Sequence, residues 1–358
     1  MKILTIVGAR PQFIKAAAVS RAIKAHSEKI EEIIVHTGQH FDANMSDIFF
    51  SEMDIPRPKY NLEIHGVNHG AMTGRMLEGI EDIILKENPD WILIYGDTNS
   101  TLAGAIAASK LHVKVAHVEA GLRSFNLKMP EEINRILTDR ISSILLCPTQ
   151  TAVTNLEKEG FKNFPIKIEM TGDVMLDAAR FYEKQASKMA KVANQITYPK
   201  FALSTIHRAE NTDDITRLRE IVMALNELHK TIPVVLPLHP RTSKKLADHG
   251  IKMNVHLIEP VGYFDMISFL SRCELVLTDS GGLQKEAYFF EKPCVTFRDE
   301  TEWVELVEAG ANKVVGARMN SIVEAASNFL TSKPLFTHQL YGDGRASEKI
   351  IETLLNYR

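Results

Sequence analysis

The chain has 358 residues, 45% of them apolar and 24% charged, with a formal net charge of −3. That is an ordinary globular composition, long enough for two domains, and it supplies no electrostatic reason for a nucleic-acid or acidic-membrane partner. No apolar run approaches the length of a membrane span, and no low-complexity segment or short repeat is present. Cys147, Cys273 and Cys294 form no CxxC pair and sit in or beside apolar runs, as reduced core residues of a cytosolic protein do.

Short apolar runs alternate with longer helical patterns. In the first half the strand candidates are 2–7, 32–36, 91–95, 113–117, 143–147 and 167–171; in the second they are 201–206, 233–237, 254–258, 274–278, 293–297 and 313–315. Continuously apolar strands imply sheets covered on both faces, and alternation with helices implies parallel βαβ units. The expected fold class is α/β, with two Rossmann-like domains facing across a cleft. The first spans 1–172 and the second 173–344. A terminal helix at 345–358, with Ile350, Ile351, Leu354 and Leu355 at helical spacing, packs back on the first. Ligands in such sheets bind beyond the carboxyl ends of the strands, so the polar clusters there are the site candidates.

The 2–7 run is too short for a signal-peptide core and reads as a buried first strand. It ends at Gly8-Ala-Arg10-Pro-Gln12-Phe-Ile-Lys15, where Pro11 suits a first helical turn. Arg10 and Lys15 there fit phosphate or carboxylate binding, with a surface cation as the bland reading of Arg10. The 91–95 strand delivers Gly96-Asp97, a helix cap or a cleft carboxylate. The next delivers His117-Val-Glu119, where a carboxylate is costly unless paired or used. Glu131 opens a helix carrying Asn134 and Arg135 one turn on, and favourable N-terminal charge is its plainer role. Asp97, Glu119 and Glu131 would crowd one rim, raising some of their pKa values into the range of acid/base work.

In the second half, strands deliver His207-Arg208 and His239-Pro-Arg241, which either neutralise a phosphate or cap turns. Glu274-Leu-Val-Leu-Thr-Asp279 runs into Ser280-Gly281-Gly282 and a helix carrying Glu286. Two glycines at a helix N-terminus make an anion cradle, with Glu286 in reach of a ribose diol; a turn capped by Ser280 is the alternative. Arg298-Asp-Glu-Thr-Glu302-Trp303 forms a dense polar loop after the 293–297 strand. There is no GxGxxG, no Walker A, no zinc-like spacing, no Asp-x-Asp pair and no GxSxG.

In order and spacing, the stretches from Gly8 to Lys15, Thr37 to His40, Gly96 to Thr98, His117 to Arg123, Pro130 to Glu132, His207-Arg208, Asp279 to Gly282 and Glu286 resemble the non-hydrolysing UDP-N-acetylglucosamine 2-epimerase family over the whole chain. The resemblance implies a glycosyltransferase-B type fold, usually a homodimer, and no cofactor. It implies inversion at C2 of a UDP-2-acetamido sugar through loss and return of UDP. It assigns acid/base roles to Asp97, Glu119 and Glu131, a catalytic or diphosphate role to His207, and UDP binding to Ser280, Gly281, Gly282 and Glu286. Arg10 and Lys15 match its N-terminal binding motif.

Three departures stand out: Gln12 in place of Glu, the Arg123-Ser-Phe-Asn126 run, and Trp303 in place of Arg. They resemble a branch acting on UDP-2,3-diacetamido-2,3-dideoxy-glucuronic acid in surface-polysaccharide synthesis, with Trp303 expected at the sugar and UDP-N-acetylglucosamine as the alternative substrate. They also bear on the family's activator site at Gln39-His40. A glycosyltransferase of the same fold would use the cradle without needing three rim carboxylates, and a non-catalytic UDP-sugar sensor would need none.

Overall fold

A computed structural model describes residues 1–39, 55–337 and 339–357. The chain divides into two compact units, Met1–Ala178 with Gln339–Arg358, and Ala179–His338. The first is built on seven parallel strands: β1 (Lys2–Val7), β2 (Glu31–His36), β3 (Tyr60–Asn61), β4 (Trp91–Tyr95), β5 (Lys114–Val118), β6 (Ile144–Cys147) and β7 (Lys167–Met170). Their order is β3-β2-β1-β4-β5-β6-β7. The second holds six: β8 (Ala202–Thr205), β9 (Val234–Pro237), β10 (His256–Ile258), β11 (Leu275–Thr278), β12 (Cys294–Thr296) and β13 (Asn312–Val314), in the order β10-β9-β8-β11-β12-β13. Each order reverses once, between β1 and β4 and between β8 and β11, and such reversals open the crevices where α/β sheets take ligands.

The helices are α1 (Arg10–Lys24), α2 (His69–Glu87), α3 (Asn99–Lys110), α4 (Pro130–Ile141), α5 (Gln150–Lys158) and α6 (Val174–Met189), then α7 (Ala209–Thr212), α8 (Ile215–His229), α9 (Pro240–Asp248), α10 (Tyr263–Arg272), α11 (Gly281–Phe289), α12 (Val304–Glu308), α13 (Met319–Thr331) and α14 (Ala346–Leu355). The strands are legible as apolar runs because helices cover both faces: Ile92, Leu93, Ile94 and Tyr95 are wholly buried. The two-residue β3 is too short to leave such a run.

The division falls after Ala178, within α6 and beyond the Gly172 turn that the sequence suggests. The first turn of α6 belongs with α14, because Asp177 accepts the backbone N–H groups of Ala346 (3.1 Å) and Ser347 (2.7 Å). α14 packs on α1. Just beyond it, the Tyr357 ring meets Trp91 edge-on at 5.0 Å.

The glycine of the His117–Arg123 motif has a steric reason to be there. Gly121 has φ +80°, and a Cβ on it would lie 2.6 Å from the carbonyl oxygen of Ala152 in α5. Gly121→Ala is expected to lower stability by about 1–3 kcal/mol, from left-handed strain plus that clash. Thermal unfolding checks this; an unchanged Tm would refute the steric account.

Candidate active site

In the first unit, β1, β4 and β5 lie side by side, so the residues that follow them gather at one edge. Lys15, on α1, is buried and ion-paired with Glu119 at the end of β5. Glu119 is held in left-handed backbone, φ +70°. Gly96 lies against this pair: a Cβ there would be 3.2 Å from Lys15 Nζ and 3.3 Å from Glu119 Oε2. Asp97 is paired with Arg135 of α4, and Asn134 Nδ2 donates to the Asp97 carbonyl at 2.9 Å. Thr98 rather than Asp97 caps α3, accepting from Thr101 N, so the Asp97 carboxylate is left to the cluster.

This corrects the picture of mutually repelling carboxylates. Burial does push the Asp97 carboxyl up, but the charges of Arg135, Lys15 and His117 and the hydrogen bond from Arg135 outweigh it, and its pKa lies below the ordinary aspartate value. The cluster alternates in sign, with two cations set among the acids. Glu131 is half-buried in the first turn of α4. Its neighbour Glu132 is fully buried and structural, accepting from the backbone of Ser124 (2.9 Å) and Phe125 (2.9 Å) and from Arg135 Nη1 (2.6 Å). Arg10 opens α1, with its side chain outside what the structure describes, and His40 lies outside the described residues. Gln39 Oε1 accepts from Ser100 Oγ at 2.9 Å.

In the second unit, Asp279 follows β11 and is wholly buried. It accepts the backbone N–H of His207 (3.1 Å) and of Arg208 (3.0 Å), and Asn211 Nδ2 (3.2 Å), clamping the turn after β8 to the end of β11. His207 Nδ1 stands 3.4 Å from Asp279 Oδ1. Desolvation leads in lowering the His207 pKa; Asp279 opposes it, and Arg208 and His239 push the same way as desolvation. His239 caps α9, accepting from Arg241 N at 3.2 Å, so the turn reading holds for it.

Ser280 caps α11, its Oγ accepting from Leu283 N at 3.3 Å. Capping and an anion site are compatible, because Gly281 and Gly282 open the helix. A Cβ on Gly281 would run into Glu302 Oε1, with Arg208 Nη2 3.6 Å away. Glu302 is in turn held by Arg298 Nη1 at 2.8 Å. The start of α11 therefore already attracts an anion, one belonging to the protein. Glu286 is half-buried one turn on.

Two of the three departures have a visible packing role. Gln12 is buried and uses both ends of its amide, accepting from Gly8 N (2.8 Å) and Ala9 N (3.0 Å) and donating to the Tyr95 carbonyl (2.9 Å) and Thr101 Oγ1 (3.0 Å). A glutamate has no N–H for the last two. Trp303, expected at the sugar, is 3% exposed, and Lys285 Nζ stands 4.5 Å from the centroid of its ring. The sequence places Arg135 on the helix face of Glu131 and Arg208 after the β8 strand, but not their partners, and it gives no role to Asp279, whose buried carboxylate holds the His207–Arg208 turn.

The model of UDP-N-acetylglucosamine 2-epimerases matches residues 21–355. The UDP-2,3-diacetamido-2,3-dideoxy-D-glucuronate 2-epimerase of Pseudomonas aeruginosa is 61% identical over 99% of both chains. The chain belongs to the UDP-N-acetylglucosamine 2-epimerase family. Among solved members, the Methanocaldococcus jannaschii UDP-GlcNAc 2-epimerase in complex with UDP-GlcNAc and UDP matches with a TM-score of 0.90 at 41% identity, over 99% of each chain. The Neisseria meningitidis enzyme bound to UDP-GlcNAc matches with 0.88 at 32%, over 99% of this chain and 100% of that one. Both likenesses span the two sheets, so the family fold is that of the whole chain.

Arg135→Gln removes the cation nearest Asp97, and the Asp97 carboxyl is expected to titrate at a higher pH than in the parent. A ¹³C NMR titration of the aspartate carboxyls measures this, and an unmoved Asp97 midpoint would contradict the pairing.

Proposed function

We propose that the protein inverts C2 of UDP-2,3-diacetamido-2,3-dideoxy-D-glucuronate to give the manno isomer, supplying a surface-polysaccharide precursor. The 61% identity to the Pseudomonas aeruginosa enzyme supports the sugar. The observation that carries the chemistry is the Asp97–Arg135 and Lys15–Glu119 pairing at the ends of adjacent strands. Two carboxylates, each held by a cation, are groups that can take a proton from one face of a carbon and return one to the other.

In this reading a carboxylate removes the C2 proton. The C–H electrons form the C1=C2 bond of a 2-acetamidoglucal, and the C1–O electrons leave with UDP. Oxygen of UDP then adds back to C1 while C2 takes a proton on its opposite face. A carboxylate kept acidic by Arg135 is a weak base, so departure of UDP has to drive the step. Arg208, His207 and the N–H groups opening α11 suit that charge. A diphosphate at the cradle requires Glu302 to swing clear of Gly281. Asp97, Glu119 and Glu131 are assigned to acid/base work and His207 to the leaving group. Arg10, Lys15, Ser280, Gly281, Gly282 and Glu286 are assigned to substrate. Trp303 is assigned to the sugar side of the substrate. The chemistry needs no cofactor.

UDP-N-acetylglucosamine is the second reading, favoured by relatives such as the 42%-identical Methanocaldococcus jannaschii UDP-N-acetylglucosamine 2-epimerase. Incubation of each sugar in deuterated water separates the two. Deuterium at C2 with UDP retained is expected for the diacetamido-glucuronate, and exchange with UDP-N-acetylglucosamine alone would transfer the assignment. Absence of exchange with any UDP-2-acetamido sugar would refute the function. Asp97→Asn, Glu119→Gln and Glu131→Gln should each slow exchange by roughly 10²–10⁴-fold with folding intact; an unchanged rate removes that carboxylate from the mechanism.

A homodimer belongs to the same reading and rests on the family resemblance. Sedimentation is expected to give twice the 40.2 kDa chain mass; a monomer at working concentration would overturn it. Among the described residues no helix is long and apolar enough to cross a membrane. All three thiols are buried, and desolvation pushes Cys273 and Cys294 up to about 12, which leaves them no nucleophilic part in the reaction.

A further inference from the structure

His117 lies on β5 opposite Ile94 of β4 and is wholly buried. Each of its ring nitrogens meets an oxygen: Nδ1 is 2.7 Å from Asp139 Oδ1, and Nε2 is 2.7 Å from the Gly96 carbonyl. A carbonyl only accepts, so Nε2 carries the proton on that side. Asp139, on α4, is wholly buried as well. Its second oxygen accepts from Arg123 Nη1 (2.7 Å) and Gly121 N (3.2 Å). Burial raises the Asp139 carboxyl, but His117 and Arg123 outweigh it and hold it below the ordinary value. Arg123 is itself fixed by Glu159, at 2.6 and 2.8 Å, and by the Leu122 carbonyl at 2.7 Å.

Every polar end of this chain of contacts is matched, so it holds no ligand. It terminates on the carbonyl of the peptide bond that carries Asp97. The N–H of Gly96 is bound on its own side by the Val118 carbonyl at 3.0 Å. The Gly96 residue, and with it the direction in which Asp97 leaves β4, is thus held from both sides. An apolar residue would fill a wholly buried strand position without the cost of burying ionic groups.

We infer that His117 is a positioning residue for the epimerisation, fixing the Gly96–Asp97 peptide through the Nε2 hydrogen bond while Asp139 and Arg123 fix the ring. It acts through Asp97 and touches no reacting atom. The inference rests on the role proposed above for Asp97.

A pair of substitutions isolates the contact. The amide nitrogen of glutamine reaches close to where histidine places Nε2, and that of asparagine close to Nδ1. His117→Gln therefore keeps the Gly96 bond and gives up Asp139, whereas His117→Asn does the reverse. Both lose one buried contact and should show similar falls in Tm. In the C2 exchange assay, His117→Asn and His117→Ala are expected to lose roughly tenfold or more in kcat with KM little changed, as misplacement of a reacting group does. His117→Gln should recover most of the loss. Equal losses in the Gln and Asn variants, or rates that follow Tm, would overturn the positioning role. Should the variants not fold, ¹⁵N spectra of the ring in the parent protein decide: a proton on Nε2 is expected, and a bare Nε2 sinks the inference. A parent protein that exchanges no C2 proton refutes the function instead, so the two failures are told apart.

Discussion

A charge taken out of water must be paired, and much of the first unit is arranged around that requirement. Lys15 answers Glu119, Arg135 answers both Asp97 and Glu132, and Arg123 answers Asp139 and Glu159. Apart from Arg135–Glu132, which lies within α4, these pairs join different elements. α1 is tied to the end of β5, α4 to the end of β4, and the loop after β5 to α5. Helix packing and site geometry are here the same set of contacts. Asp97 and Glu119, the two paired carboxylates proposed for acid/base work, cannot shift without unpairing a buried cation.

The second unit meets a related demand with neutral donors. Asp279 is wholly buried and satisfied mainly by backbone N–H groups and an amide. Asn211 extends the network to the Phe297 carbonyl (3.1 Å) and receives Arg217 Nε (2.9 Å), so the ends of β8, β11 and β12 share one arrangement. The turn carrying His207 and Arg208 is rigidly based, while the His207 side chain stays 43% exposed. That combination of fixed backbone and accessible ring suits the role proposed for His207 beside a departing diphosphate.

The alternation of apolar runs and helical patterns made twelve of the strands legible, since parallel strands covered on both faces leave continuous hydrophobic stretches. The β1, β4, β5, β8 and β11 ends were legible as chemistry because charged or ionisable residues follow each run, with glycine beside them at all but β8. Partners were not legible. Sequence places Glu131 and Glu132 side by side, and only tertiary packing decides that Glu132 is buried under the 124–125 loop. The expected repulsion among carboxylates failed for the same reason: Arg135 and Lys15 arrive from other elements. Trp303 reads as a sugar-pocket residue because it departs from the family pattern, as Gln12 also does. Their burial shows that a departure can alter what lies beneath a site as readily as what lines it.

The path of the chain has a consequence for synthesis. The first unit is interrupted: its α14 packs against α1, with the whole of residues 179–338 between them. A ribosome delivers α1 early and α14 after every strand of both sheets. The contiguous second unit can reach its folded state while the first still lacks a helix to cover α1. Until residues 346–355 emerge, that face of α1 is an uncovered apolar surface on the nascent chain. Chaperone dependence during translation would therefore be concentrated in the part of the protein that is made first.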